Sequence, residues 1–254
     1  MIGLRNGTRG AERLAEMLRA SERAVALTGA GISVPSGIPD FRTPGEGLWE
    51  KVNPMEVAHI DAFRRDPDRF WGFYRERFVM LRDKLPNPAH EALAELESRG
   101  VLRGVVTQNV DRLHRAAGTS RLVEVHGSIA RCVCPECGWK VGLDAVVEML
   151  EAVEGAPECV ACIAPLKPDV VLFGEMLPEA AIQEAYELAS EADLLVCVGS
   201  SLEVHPVASL PEVTLEAGGE VALVTQGPTP YDRRAAVKLS GDVVEELRAV
   251  LELV

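Results

Sequence analysis

The sequence has no apolar run approaching the roughly 20 residues that a bilayer span requires. It has no internal repeat and no low-complexity tract, so a solenoid or a tail-like disordered protein is excluded. It also has no local basic patch, and with a formal net charge of −13 tight non-specific binding to DNA or RNA is not expected. The first twenty residues carry Arg5, Arg9, Arg13 and Arg19, but Glu12 and Glu16 interrupt them and no apolar core comes after them. A signal or transit peptide is therefore not expected, and the protein is expected to be cytoplasmic. The acidic balance itself speaks mainly to solubility, although it would also attract basic peptides.

Along the 254 residues, helical spacing alternates with short apolar runs, which predicts a parallel sheet covered by helices. Strands are expected at 24–28, 104–107, 122–125, 170–173, 194–198 and 221–225, and helices at 11–20, 88–99, 178–190 and 243–253. Near-continuous Val and Leu in several strands imply burial on both faces. Two stretches break the alternation: 39–88, rich in charge, proline and aromatics with helical pieces near Asp61 and over 70–81, and 132–164, punctuated by Cys and Gly. The expected organisation is one α/β domain from 1–38, 88–130 and 166–254, with a smaller module from 39–87 and 131–165.

Thr28-Gly29-Ala30-Gly31-Ile32-Ser33 comes directly after the first expected strand. Glycines there would let main-chain N–H groups approach a phosphate, with the positive end of a helix behind them. A plain strand-to-helix turn would read the same way. The dehydrogenase fingerprint is incomplete: its third glycine would fall at Val34, and no acidic residue ends a second strand about twenty positions on, so hydride transfer fits poorly. Gly199-Ser200-Ser201 and Thr225-Gln226-Gly227 are further polar turns at strand C-ends, the ligand edge of an open sheet.

Cys134-Pro-Glu-Cys137 and Cys159-Val-Ala-Cys162 are separated by 21 residues. Two such knuckles complete a tetrahedral zinc site with no open position for water, hence a structural one. Redox dithiols or disulfides are the competing reading, which a cytosolic setting disfavours. Cys197 reads as a small core residue, and Cys132 as a spare thiol able to compete for the metal.

Gln108, Asn109 and Asp111 begin where the second strand ends, and amides with a carboxylate there suit ribose hydroxyls or a carboxamide. His126-Gly127 lies at another strand end, and an imidazole with an ordinary pKa near 6.5 suits general-base work, though capping or packing would serve equally. His59, His90, His114 and His205 read as structural.

Taken together, Gly29-Ala30-Gly31-Ile32-Ser33, Gly37-Ile38-Pro39-Asp40-Phe41-Arg42, Thr107-Gln108-Asn109-Val110-Asp111, His126-Gly127, the two cysteine pairs and Pro168-Asp169-Val170-Val171-Leu172-Phe173-Gly174-Glu175 resemble the sirtuins, in the family's order and over nearly the whole chain. The resemblance implies a Rossmann-type domain, a small zinc and helical domain, and NAD in the cleft between them. It also assigns roles. Gly29, Ala30, Gly31 and Ile32 would line the NAD pocket, Asp40 and Arg42 would belong to a loop over the cofactor, and Phe41 would shield the reacting ribose carbon. Gln108, Asn109 and Asp111 would hold the ribose and nicotinamide end, with Asn109 and Asp111 part of the catalytic set. His126 would be the base. Gly199, Ser200, Ser201 and Thr225 would lie along the phosphates and the adenosine end, Ser200 and Thr225 standing where the family commonly has Thr and Asn. Val170, Val171, Phe173, Gly174 and Glu175, with 201–204, would pair with an acyl-lysine peptide by strand addition. The implied reaction is not redox: the acyl oxygen attacks the nicotinamide ribose, nicotinamide leaves, and the acyl group departs as O-acyl-ADP-ribose.

Tyr74 and Arg77 lie three apart, hence on one helix face. With Ala58 they are similar to the desuccinylase-type sirtuins, which implies removal of succinyl and malonyl groups with weaker deacetylation. A solvated helix face is the competing reading. Plain deacetylation, ADP-ribosyl transfer to protein, a non-catalytic NAD sensor and a zinc-ribbon nucleic-acid binder are the other possibilities, the last disfavoured by charge.

Overall fold

The computed structural model describes residues 3–40, 52–152 and 154–254. Its strands are β1 (Ala24–Thr28), β2 (Leu102–Thr107), β3 (Leu122–Glu124), β4 (Gly127–Val133), β5 (Lys140–Gly142), β6 (Lys167–Val170), β7 (Leu194–Val198), β8 (Glu220–Val224) and β9 (Val237–Leu239). The helices are α1 (Gly3–Ala20), α2 (Pro54–Val57), α3 (Ile60–Arg65), α4 (Pro67–Arg82), α5 (Pro88–Ser98), α6 (Leu113–Ala116), α7 (Leu143–Ala152), α8 (Glu179–Glu191), α9 (Leu210–Glu216) and α10 (Val243–Leu253).

Six strands form one parallel sheet in the order β3-β2-β1-β7-β8-β9. Counted along the chain this is the doubly wound Rossmann order, and its switch point lies between β1 and β7. The period-two geometry of a strand divides the buried residues between two cores. Ala24 and Ala26 of β1 join Val196 and Val198 of β7 in one cluster with α1, α5 and α10. Val25 and Leu27 join Leu195 and Cys197 in the other, with α8 and α9. Cys197 is thus the core residue expected. The predicted Rossmann-type sheet with helices on both faces is the observed one.

A second, antiparallel sheet, β5-β4-β6, packs with α3, α4 and α7 around a third core. Trp71, fully buried on α4, anchors it and donates from its indole N–H to the Leu166 carbonyl at 2.8 Å. The apolar run expected as a strand at 170–173 departs from that expectation. The strand is β6, which ends at Val170 and pairs with β4 in the small sheet. Beyond it the main chain turns to pair Phe173 with residues beside α3, and Gly174 at φ +85° reverses direction.

Candidate active site

The C-terminal ends of β1, β2 and β7 meet at the switch point. The Gly29 N–H donates to the Val198 carbonyl at 3.0 Å, Gly31 N–H to the Gly199 carbonyl at 2.8 Å, and Gln108 N–H to the Thr28 carbonyl at 3.0 Å. A Cβ on Gly31 would lie 2.8 Å from the Gly199 Cα and carbonyl oxygen, and one on Gly29 2.8 Å from the Ser200 Cβ. This corrects the reason expected for the glycines. Their N–H groups are engaged by the neighbouring strand end, and the chain continues into a pair of 3₁₀ turns, Ala30–Ile32 and Val34–Ser36, instead of an α-helix. The glycines let two turns touch. Ile32 is likewise turned inward, its side chain fully buried in the core beside α1 and α5, while Ala30 stays half-buried at the edge.

Around this contact lies a buried polar cluster. The Ser33 hydroxyl donates to Asp111 Oδ2 at 2.6 Å, and Asp111 Oδ1 accepts from the Leu113 N–H at 2.9 Å. The Asn109 amide donates to the Gly29 carbonyl at 3.1 Å and to Ser33 Oγ at 3.2 Å. Burial raises the Asp111 pKa, opposed by those two hydrogen bonds. His90 Nδ1 accepts the Asn87 N–H at 3.3 Å, so its proton sits on Nε2, 3.3 Å from Ser33 Oγ. His114 Nε2 lies 2.8 Å from Thr28 Oγ1, which donates to Thr107 Oγ1 at 2.8 Å, and Thr107 Oγ1 accepts the Asn109 N–H at 3.1 Å. Burial pushes His90 down to about 4 and His114 to about 3, so both are neutral near pH 7. Sequence reasoning placed Thr28, Ser33 and Thr107 in the site motifs without giving any of them a role, and read His90 and His114 as structural. One local signal was available: Asn87-Pro88-Ala89-His90 spells a helix start, and Asn87 and His90 form a capping box.

His126 stands where β3 passes into β4. Its Nδ1–H donates to the Gln108 carbonyl at 2.9 Å, which leaves the lone pair on Nε2. Burial lowers its pKa, partly offset by that carbonyl, so the ring is an unprotonated base near neutral pH. Its own carbonyl accepts the Val171 N–H at 2.8 Å. Gly127, at φ +75°, permits this junction, since a Cβ there would fall 2.2 Å from the Asp169 carbonyl oxygen. Gln108 also donates from its side chain to Ser200 Oγ at 2.9 Å, and Ser200 Oγ accepts the Leu202 N–H at 3.2 Å. Ser201 is half-buried in the same turn. Thr225, half-buried, donates its N–H to the Leu239 carbonyl at 2.9 Å at the far end of this edge. Asp40 is half-buried where the first described segment ends, and Phe41 and Arg42 lie outside the described residues.

The 170–175 segment runs beside His126, to whose carbonyl the Val171 N–H donates. The Phe173 N–H donates to the Ala58 carbonyl at 2.9 Å and its carbonyl accepts the Ile60 N–H at 2.9 Å, so its main chain is already paired. Ala58 is buried, and Tyr74 and Arg77 on α4 are half-buried.

The four cysteine sulfurs lie within 4.8 Å of one another, with Cys134–Cys162, Cys137–Cys159 and Cys137–Cys162 at 3.4, 3.6 and 3.6 Å. A disulfide would need about 2.05 Å, whereas zinc–thiolate bonds of about 2.3 Å in a tetrahedron place sulfurs about 3.8 Å apart. The site therefore fits zinc. Each knuckle closes by the same pair of hydrogen bonds: Gly138 N–H to the Cys134 carbonyl and Cys134 N–H to Trp139, then Ile163 N–H to Cys159 and Cys159 N–H to Ala164. Cys132 is buried away from the cluster, its thiol pushed up to about 12 by burial, so it does not compete for the metal.

The switch point can take a dinucleotide by the chemistry of its edge: the amides of Gln108 and Asn109, the Ser200 hydroxyl, and a neutral imidazole at one end. Sheet order and site together define a Rossmann-type nucleotide-binding protein with a neutral histidine at the ligand edge and a four-cysteine module suited to a structural metal. The Sir2 family profile matches residues 29–206, and the chain belongs to the Sir2 family. It is 42% identical over 237 residues to the NAD-dependent protein deacetylase of Thermotoga maritima, covering 93% of this chain and 95% of that one. It is 45% identical over 239 residues to NAD-dependent protein deacylase 2 of Pyrobaculum aerophilum, with 94% of each covered. Among solved structures, Sir2 bound to a propionylated peptide superposes with a TM-score of 0.86 at 40% identity, covering 94% of this chain and 96% of that one. The protein is thus an NAD-dependent protein deacylase, with NAD as co-substrate and a four-cysteine cluster suited to one structural zinc.

Proposed function

We propose that this deacylase removes acidic acyl groups, succinyl and malonyl, from lysine side chains, with weaker deacetylation. The observation that carries the reading is the placement of Tyr74 and Arg77, both half-buried, one turn apart on α4. Burial pushes the Tyr74 phenol up to about 12, and Arg77 pulls it back down. Arg77 is itself lowered chiefly by burial and raised by Tyr74 and Glu76. The guanidinium donates from Nη1 to the Phe73 carbonyl at 2.8 Å and lies over the Phe73 ring at 4.1 Å. Its remaining N–H groups have no partner among the described residues, and a fork of that kind suits a carboxylate. Ala58, small and buried beside Phe173, is the residue this reading gives to the acyl pocket.

In this reading the peptide lies between the 170–175 segment and residues 201–204 of an α/β domain built from 1–38, 88–130 and 166–254, beside a small module of 39–87 and 131–165, and the protein works in the cytoplasm. Bound NAD supplies the electrophilic ribose carbon and carries the acyl group away. Asn109 and Asp111 hold the ribose and nicotinamide end, Gln108 and Ser200 the hydroxyls beside it. His126 Nε2 takes a proton from a ribose hydroxyl, its ring fixed by the Gln108 carbonyl.

Plain deacetylation is the second reading. The Phe73 contacts already satisfy part of the Arg77 guanidinium, and several relatives are named deacetylases. Arg77→Met separates the two. A charged hydrogen bond contributes about 1.5–3 kcal/mol, so kcat/KM for succinyl-lysine peptide should fall about 10- to 100-fold while acetyl-lysine turnover holds. Undiminished desuccinylation in that variant would sink the reading.

A further inference from the structure

We propose that Lys167 is a positioning residue for the substrate peptide, clasping the two ends of the 170–175 segment through a single ammonium group. Lys167 begins β6, and its side chain is 15% exposed. Nζ donates to the Val170 carbonyl at 2.7 Å, to the Pro168 carbonyl at 3.1 Å, and pairs with Glu175 Oε2 at 2.9 Å. An ammonium has three N–H groups and no acceptor, so each finds a partner and none is left over. Glu175 Oε2 also accepts the Leu172 N–H at 2.9 Å, while the Glu175 N–H donates to the Leu172 carbonyl at 3.0 Å. Gly174 at φ +85° lets this turn close, with the position of its absent Cβ 2.6 Å from His59 Nε2.

Val170 and Glu175 are therefore fastened to one charge, and the main chain between them is held at Val171 by His126 and at Phe173 by Ala58 and Ile60. A segment fixed before the peptide arrives does not have to be ordered on binding, which favours affinity without touching the chemical step. Methionine at position 167 would keep the stem and remove the charge, freeing the Val170 and Glu175 ends together.

The inference rests on the reading that 170–175 receives the peptide, and the experiment separates the two. In Lys167→Met, the KM and directly measured Kd for an acyl-lysine peptide should rise about tenfold, while kcat and the KM for NAD stay within about twofold. Lys167→Arg, which keeps the charge and two or more donors, should recover most of the loss and guards against a methionine variant that does not fold. Unchanged peptide affinity in Lys167→Met would overturn the proposal. So would a parallel fall in kcat, NAD affinity and melting temperature, the mark of a merely structural residue. Hydrogen exchange on the wild-type enzyme tests the underlying reading: peptide should protect 170–175, and absent protection would remove the groove and the clasp together. Protection combined with unchanged affinity in Lys167→Met would remove the clasp alone.

Discussion

An alanine at position 31 would bring its Cβ within 2.8 Å of the Gly199 Cα and carbonyl oxygen. Ordinary carbon contacts lie near 3.5–4.0 Å, so the β1 and β7 turns would have to part by about 0.7–1 Å. Both neighbours are main chain, and no side-chain rotation relieves the contact. Overpacking of this sort costs about 1–3 kcal/mol, and the smaller unfolded-state entropy of alanine returns about 0.4–1 kcal/mol. A net loss of about 1–2 kcal/mol corresponds, for a chain of this size, to a fall in Tm of about 2–8 °C. The loss is expected in enzyme free of NAD, because the contact is between two parts of the protein. Calorimetry on the ligand-free protein reads it directly. Gly72→Ala is the internal comparison: it sits inside α4 with open space around it, and should raise stability by about 0.8–1 kcal/mol. Gly199→Ala should be worse than Gly31→Ala, with its Cβ 2.3 Å from the Ile32 nitrogen at φ +60°. If Gly31→Ala melts like wild type without NAD and loses only NAD affinity, the glycine serves the approach of the ligand and the close-contact explanation fails.

Burial lowers the His126 pKa, and a base must be unprotonated to act. The acid limb of kcat/KM should therefore fall below pH 6.5, with activity rising as pH climbs through it; a midpoint at or above 6.5 in a pH–rate profile would contradict the assignment. Ile163 occupies, at φ +65°, the place that Gly138 fills at φ +75° in the other cysteine knuckle. A left-handed conformation costs an L-residue about 1–2 kcal/mol and glycine returns about 0.5–1 kcal/mol in entropy, so Ile163→Gly should gain about 0.5–1 kcal/mol. A lower Tm for that variant at saturating zinc would refute it.

How much of this was legible in the sequence depended on the kind of signal. Residues 24–28, 194–198 and 243–253 form the elements expected of them, because strands buried on both faces and a well-capped terminal helix carry their own local pattern. Asp242, for example, caps α10 by accepting from Val244 and Glu245. The Val-Val-Leu-Phe run at 170–173 misled, since apolarity reports burial and not which neighbour the main chain pairs with. Helices α7 and α9 escaped notice, as did three-residue β9. In the site, the glycine turns, the amide cluster, His126 and the cysteines stood out as motifs. The network beneath them did not: Thr28 and His114 are 86 positions apart, Ser33 and Asp111 78, and nothing local announces such pairings.

The three hydrophobic cores do not share residues: two lie on the faces of the large sheet, and the third holds α3, α4, α7 and the small sheet. Tyr74 packs on the third core, while Asn109, Asp111 and the glycine turns sit on the sheet that the other two enclose. The proposed acyl contacts of Tyr74 thus rest on the third core, which Val110, between Asn109 and Asp111, also reaches. On the proposed acyl preference, repacking around α4 should change which acyl group is removed, with Val110 as the point where that core meets the Asn109–Asp111 turn. On the same proposal, exchanging the 54–82 segment between relatives should shift acyl preference while the His126 ring keeps its hold on the Gln108 carbonyl.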